Sequence, residues 1–208
     1  MKKIDIIILS ILVIITIIYI INYLSLNKTN NSYEILQKDN PNLLEVQDLL
    51  VNKSPSIITN EINNWFIFDK NDNVDDSKLN KEVLTENTYK LQHNLCIVKK
   101  FNINNLKKNQ YNLIVQEKNT RHFIGLLVGE LSVYLLNPLD MKEDLKGKKF
   151  DVNSKDFQNI KYIEIKLYAE QLLYIPYKWG YCYKCNQDSV ILDINSESIF
   201  TLPIKNLN

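Results

Sequence analysis

The sequence predicts a mainly β domain preceded by one transmembrane helix. Two observations lead to this fold class: a long apolar run near the amino terminus, and a series of short β-rich runs from residue 88 onward, separated by polar or glycine positions. Many short strands with closely spaced turns indicate a β-sandwich or a small barrel. The 208 residues fit one anchor and one domain of about 150 residues.

The composition narrows the classes of partner. The net charge is +1, so the overall balance gives no electrostatic reason to expect a nucleic-acid partner. Isoleucine, asparagine and lysine abound, whereas Arg121 and Ala169 are the sole arginine and alanine. These preferences follow from A/T-rich codons. They would suit a large DNA virus or a microbial parasite, and hence a virion or host-cell membrane as the location.

The apolar run Ile4–Leu24 has the length of a membrane span. As a helix its 21 residues would extend about 31 Å, which matches a hydrocarbon core of about 30 Å. A cleaved signal peptide is the alternative, but its apolar region would be about 7–15 residues and end in small residues. Lys2 and Lys3 precede the run and Lys28 follows it, which favours a cytoplasmic amino terminus and a single pass.

Three regions follow from this division. We expect residues 1–25 to form an uncleaved anchor, residues 26–40 a polar juxtamembrane linker, and residues 41–208 the folded domain. After Pro41 and Asn42, the spacing of apolar residues predicts an amphipathic helix over Leu43–Val51. The segments Lys70–Lys81 and Met141–Asn159 are polar and predict surface loops.

The strand predictions rest on alternation and β-propensity. The predicted strands are Leu95–Val98, Asn112–Gln116, Phe123–Val128, Leu131–Leu136, Lys161–Leu167, Leu172–Ile175, Trp179–Tyr183, Ser189–Ile194 and Ile199–Leu202.

Several motifs along the domain resemble those of the cupin-like (JmjC-type) family. The predicted helix leads to Pro55-Ser56-Ile57-Ile58 and then Trp65. The segment His122–Pro138 is similar to the family's central hairpin, with its tight turn at Gly129. Ile163–Tyr181 is similar to the paired strands that end in Ile175-Pro176 and Trp179. The resemblance spans roughly residues 43–202 and implies a double-stranded β-helix, the cupin or jelly-roll barrel.

The resemblance also implies an iron site whose ligands are absent here. Active members hold iron through a His-x-Asp/Glu pair and a later histidine, with open positions for oxoglutarate and oxygen. The matching positions are Gln116, Lys118 and Tyr181, and the oxoglutarate-binding lysine falls at Leu131. We therefore expect no metal, no cofactor and no catalytic residue of this kind.

Two other groups of residues are candidates for function. A shifted register could recruit Glu117 and His122 as an alternative site, although no second histidine lies nearby in the sequence. The alternating aromatic residues Tyr177, Trp179, Tyr181 and Tyr183 predict one strand face lining the barrel mouth.

The cysteine pattern leaves several interpretations open. Cys182 and Cys185 form a Cys-x-x-Cys pair, for which a structural role, a disulfide and half of a zinc site are the interpretations.

The predicted function is a single-pass, membrane-anchored, cupin-like protein that does not catalyse a reaction and serves a binding or structural role. Its protein or glycan partner is not identified by the sequence. The alternatives are a divergent Fe(II)/2-oxoglutarate-type oxygenase with a rearranged site, and a carbohydrate-binding jelly roll.

Overall fold

The computed structural model describes residues 3–62, 91, 96–151, 154, 157 and 159–205. Its helices are α1 (Lys3–Asn27), α2 (Leu43–Asn52) and α3 (Thr201–Lys205), with a 3₁₀ turn at Glu143–Leu145. Its strands are β1 (Leu36–Asp39), β2 (Ser56–Thr59), β3 (Cys96–Leu106), β4 (Val115–Gln116), β5 (Arg121–Val128), β6 (Glu130–Leu136), β7 (Tyr162–Tyr168), β8 (Gln171–Ile175), β9 (Gly180–Cys185) and β10 (Ser189–Ser198).

The strands form two sheets whose order is that of a double-stranded β-helix. The larger sheet has the order β1-β2-β8-β5-β10-β3, and the smaller has the order β4-β9-β6-β7. From β3 to β10 the chain alternates between the sheets, except at the β6–β7 connection, which stays within the smaller sheet. The strands β3 to β10 thus supply the eight strands of a jelly roll. The mainly β prediction is therefore confirmed.

The larger sheet is buried on both faces. Towards the smaller sheet, β5 contributes Ile124 and Leu126 to the barrel interior, where they pack with Val133 and Leu167. On the opposite face of β5, Phe123 and Leu127 pack with the buried side of α2. Because side chains alternate along a strand, one strand supplies both cores.

Helix α2 begins where the sequence predicts it. Asn42 caps the first turn by accepting a hydrogen bond from Glu45 N, and the Glu45 side chain accepts one from Asn42 N in return. This reciprocal pair is a capping box. Val46, Leu49 and Leu50 are buried against the sheet, whereas Val51 is 75% exposed.

The larger sheet begins within the segment predicted as a linker. β1 (Leu36–Asp39) pairs in parallel with β2, in the register Leu36 to Ser56. The sheet therefore starts before Pro41, and α1 is followed at once by residues that contact the domain. The short, polar β1 carries no apolar alternation, so it has no local strand signal.

Two strand predictions differ from the structure at the ends of the jelly roll. The predicted strand Leu95–Val98 is too short, because β3 continues to Leu106. The asparagines and lysines in this continuation have low β-propensity. Ile199–Leu202 is wrong as a strand, because α3 begins at Thr201. The Ser198 hydroxyl accepts hydrogen bonds from the backbone N–H groups of Phe200 and Thr201 and thereby starts the helical turn.

The predicted surface loop Met141–Asn159 has a buried side. Met141, Leu145 and Phe157 pack with Ile114 and Leu136 over the outer face of the smaller sheet. Because polar residues separate these apolar ones, the sequence pattern predicts only a surface loop and not this packing. Trp65, the loop Lys70–Lys81 and Leu95 lie outside the described residues.

Gly129 in the β5–β6 turn tests the hairpin geometry. Its φ is +102°, and a Cβ there would lie 2.7 Å from the Asp188 carbonyl oxygen. Gly147 has φ +75° but open space around a Cβ. Gly147→Ala should cost about 1–2 kcal/mol from the backbone conformation. Gly129→Ala adds a clash with main chain and should cost at least about 3 kcal/mol.

The measurement is denaturant unfolding of both full-length variants in detergent, compared with the unmodified chain. An equal loss of stability in the two variants would contradict the close packing of the β5–β6 turn against the β9–β10 connection.

Candidate functional site

The inner faces of four segments bring a polar group together at one end of the barrel. His122 lies on β5 in register with Asn195 of β10, and both share the inward face with Ile124 and Asp193. Tyr181 enters from β9 on the other sheet, and its ring lies edge-on to that of His122, with centroids 5.3 Å apart. The fourth segment is the β4–β5 loop, which carries Glu117.

Glu117 is held by the β8–β9 connection. Its backbone N–H donates to the carbonyl of Trp179 at 2.7 Å, and its own carbonyl accepts from Lys178 N at 2.9 Å. These two bonds continue the β4–β9 pairing by one residue. Since side chains alternate, the Glu117 carboxylate turns into the barrel, whereas Gln116 faces Gly180 across the ladder.

The buried centre of the group is a histidine between two carboxylates. His122 Nδ1 contacts Glu117 Oε2, and His122 Nε2 lies 3.4 Å from Asp193 Oδ1. The second separation allows the charges to attract although hydrogen-bond geometry is not met. The Asn195 amide donates to Asp193 Oδ1. We call Glu117, His122 and Asp193 the barrel triad.

The neighbouring carboxylates raise the pKa of His122. Burial alone would lower the pKa of His122, but the neighbouring carboxylates of Glu117 and Asp193 outweigh it and raise that pKa to about 9. Burial, together with the charges of Glu117 and Asp193, raises the pKa of Tyr181, which keeps the phenol neutral. His122 is therefore an imidazolium at neutral pH.

The triad does not fit the iron that the resemblance implies. A metal ligand needs a neutral imidazole with a free lone pair, whereas the two nitrogens of His122 face two different carboxylates. Among the residues that the structure describes, no group of three histidine, cysteine or acidic side chains has metal-binding geometry. Glu117 and His122 do converge inside the barrel with a third donor, Asp193, as the rearranged-site alternative predicts, but the two carboxylates lie at opposite nitrogens of the ring rather than around one metal position.

The substituted family positions lie in three different environments. Gln116 is half-buried and donates to the Lys178 carbonyl at 3.2 Å. Lys118 is exposed on the β4–β5 loop, and Leu131 belongs to the barrel core. Of these positions, Tyr181 is the one that the structure brings to the triad.

Three of the four predicted aromatic rings, those of Trp179, Tyr181 and Tyr183, pack in the barrel core. Tyr177 and Trp179 precede β9, and Trp179 is fully buried in the barrel core. Tyr181 and Tyr183 lie on β9 and pack against that core from the inward side. These rings therefore do not form one continuous exposed platform.

The Cys-x-x-Cys pair lies on a single strand with its two thiols on opposite faces. Cys185 belongs to the barrel core and Cys182 to the outer cluster beneath the Met141–Phe157 segment. Both cysteines are free and buried. Burial raises the pKa of Cys182 to about 12 and, with the nearby Asp188 charge, that of Cys185 to about 11. The arrangement favours the structural interpretation of the pair.

A cavity of about 520 Å³ lies over the outer face of β9. Its size is within the range of small-ligand sites. Two of its aromatic faces are already covered, since Lys149 Nζ lies 4.1 Å from the ring centre of Tyr111 and Phe150 stacks on Tyr134 with centroids 4.5 Å apart. A sugar would need such faces free.

The sequence pointed to two of the three triad residues, Glu117 and His122, but not to Asp193. The predicted strand Ser189–Ile194 contained it, and an acidic residue among Ile191, Leu192 and Ile194 was the available signal. Whether Asp193 points into the barrel depends on which face of β10 is the inner one, and the pairing of β10 with β5 decides this.

The order of the strands defines this protein as a jelly-roll domain, that is, a double-stranded β-helix. No family model and no curated protein matches the chain.

Solved structures of cupin domains show a distant likeness. The Drosophila melanogaster CENP-C cupin domain is 15% identical with a TM-score of 0.32, over 46% of this chain and 59% of that one. A cupin superfamily protein from Desulfitobacterium hafniense is 13% identical, with a TM-score of 0.32, over 47% and 65%.

Hydroquinone 1,2-dioxygenase from Sphingomonas sp. TTNP3, solved with 4-hydroxybenzoate bound, is 14% identical with a TM-score of 0.36, over 49% of this chain and 61% of that one. The matched region thus covers less than two thirds of the length of each of these three chains.

The pH dependence of folding tests the barrel triad. Because the pKa of His122 is raised to about 9 from an ordinary value near 6.5, its charge stabilises the folded state fully below about pH 6.5. This contribution should fall as the pH rises towards 9. The pKa of Lys53 is lowered to about 8, so its contribution to stability rises with pH instead. The pH dependence of stability must therefore be compared between the wild type and the His122 variant.

We expect His122→Gln to lose about 3–5 kcal/mol near pH 6, because the Glu117 carboxylate stays buried without its partner. The double variant with Glu117→Gln should recover part of this loss. The measurement is denaturant unfolding of the full chain in detergent from pH 6 to 10. A difference between wild type and His122→Gln that is independent of pH would exclude a raised pKa for His122.

Proposed function

We propose that this chain is a single-pass membrane protein that holds a non-catalytic cupin-type domain at the bilayer surface in a binding or structural role. The observation that carries the proposal is the surface of α1. Asp5–Asn27 is long and apolar enough to cross a membrane, and none of it is buried against the domain core. An exposed apolar helix of this length is stable in lipid rather than in water.

The join between α1 and the domain supports an uncleaved anchor. Tyr19 and Phe200 form an edge-to-face ring contact with centroids 6.0 Å apart. Lys178 Nζ donates to Asn27 Oδ1 at 2.8 Å. A helix removed as a signal sequence would leave these domain groups without the contacts they make here.

The barrel triad supports the non-catalytic part of the proposal. The mouths of β-barrels are common ligand sites, and the end of this barrel contains a buried histidine whose two nitrogens face carboxylates on either side. Both ring nitrogens thus lie beside protein carboxylates rather than facing space for a metal or a substrate. The 520 Å³ cavity outside β9 offers a separate place for a binding role.

We also infer a JmjC-type relationship, since the order of the motifs from the α2 helix to Trp179 follows that family's order along the chain. The codon preferences favour a virion or host-cell membrane as the location, with the amino terminus in the cytoplasm. The protein or glycan partner is not identified by these features.

Extraction tests the anchor. The full chain expressed in cells should stay in the membrane pellet after alkaline carbonate treatment and keep its full length. Ile14→Arg, which puts a charge at the centre of the span at a cost of about 2.5–3.5 kcal/mol, should move a large share to the supernatant, and Ile14→Leu should not. Protease added to sealed vesicles reports the side on which the domain lies.

A processed chain that lacks α1 and is released into the soluble fraction would contradict the anchor and favour a signal peptide.

Metal loading tests the non-catalytic assignment. Purified full chain, incubated with Fe(II) without oxygen and then desalted, should retain far less than one iron per chain. It should not convert 2-oxoglutarate to succinate above a buffer control. The reason is that Gln116, Lys118 and Tyr181 offer no imidazole or carboxylate at the family's ligand positions.

Stoichiometric iron that disappears in His122→Gln would overturn this assignment and restore the rearranged oxygenase. Lys166→Gln, an exposed change on β7, serves as the matched control.

A further inference from the structure

Three lysines from separate parts of the sequence gather where α1 ends. Lys53, in the left-handed C-cap of α2, donates from Nζ to the carbonyl oxygens of Ser25 and Lys28, the latter at 2.9 Å. Lys178, in the β8–β9 connection, contacts Asn27. Lys28 follows directly after the helix. We call Lys28, Lys53 and Lys178 the juxtamembrane lysines.

The positive charge of this group is not neutralised by the domain. In the part of the chain that the structure describes, none of the three lysines forms an ion pair with a carboxylate. Burial, followed by the charges of Lys28 and Lys178, lowers the pKa of Lys53 to about 8. Repulsion of this kind costs free energy, which a bound anion would recover.

Two of the three juxtamembrane lysines, Lys28 and Lys53, border a cavity whose polar lining suits an anion. A space of about 510 Å³ opens beside the end of α1, lined by Lys28 and Lys53 with the polar side chains of Ser25, Thr29 and Asn31. Hydroxyl, amide and ammonium groups are the donors that a phosphate oxygen accepts from. Val51, 75% exposed, adds an apolar surface to the same cavity.

The location of the juxtamembrane lysines at the end of α1 indicates which kind of anion they would bind. This inference rests on the proposed function, in which α1 spans the bilayer. The end of α1 at Asn27 then lies at the level of the lipid headgroups. A lysine ammonium placed there attracts the phosphate group of an anionic lipid in the same leaflet, with a range of about one Debye length. The lipid phosphates lie at this level at high local density, so a lipid is the source of the anion that we favour.

We propose that the juxtamembrane lysines and the cavity beside them bind the headgroup of an anionic phospholipid in the leaflet that faces the domain. The phosphate accepts from Lys28 and Lys53, and the glycerol region contacts Val51. The bound lipid then forms part of the join between α1 and the domain.

The test uses the full chain in nanodiscs of phosphatidylcholine alone and in nanodiscs of phosphatidylcholine mixed with phosphatidylserine. We expect the midpoint of thermal unfolding to be higher by roughly 3–6 °C in the anionic discs. High salt should reduce this difference, because the contact is electrostatic.

Lys28→Gln should abolish most of the difference between the two disc types, since its side chain makes no described contact that the fold needs. Lys166→Gln, an exposed lysine on β7, should retain it. Circular dichroism in phosphatidylcholine discs checks that each variant is folded, and the salt dependence of the wild type requires no variant.

Three other outcomes would each overturn the lipid site. Equal midpoints in the two disc types would overturn the lipid site while leaving the membrane anchor intact. A similar rise produced by inorganic phosphate in phosphatidylcholine discs would make the site one for soluble anions and overturn the lipid assignment. A chain that does not enter nanodiscs would overturn the proposed anchor, and the lipid site with it.

Discussion

The pairing of β5 with β10 sets the geometry of both hydrophobic cores. β5 lies at the centre of the larger sheet with β10 beside it, and both strands are buried on both faces, so their alternate residues must satisfy two cores at once. A slip of one residue would move Phe123 into the barrel and His122 under α2. Their register therefore fixes the barrel interior, the seat of α2 and the location of the triad together.

The sequence predicted the jelly roll well where alternation or an apolar run was strong. The capping box at Asn42 and Glu45, the Gly129 turn and the strands β5 to β10 all carry local signals. β1 and most of β3 do not, because they are short or rich in asparagine and are held by their neighbours in the sheet. The same composition hid the apolar side of the Met141–Asn159 segment, where Leu145 and Phe157 are spaced too widely to show a pattern.

The candidate site was predictable in part for the same physical reason. Glu117 and His122 are five residues apart, so one loop can bring them together. Asp193 and Tyr181 arrive from other strands, and their approach is a property of the sheet pairing rather than of any local pattern. The side chains at the family positions Gln116 and Lys118 do not face the barrel interior, because alternation along β4 turns Glu117, and not its neighbours, inwards.

The contacts of Lys53 and Lys178 with the last turn of α1 leave the chain without a stalk. Many anchored domains sit on flexible segments that let them sweep a volume above the bilayer, whereas here the sheet begins at Leu36 and the helix end is held by side chains. If α1 spans the bilayer, as proposed, these contacts would confine the domain close to the membrane plane, with a restricted orientation. A partner of such a domain would have to come to that surface or reside in it, and neighbouring proteins with tall ectodomains would screen it from distant partners.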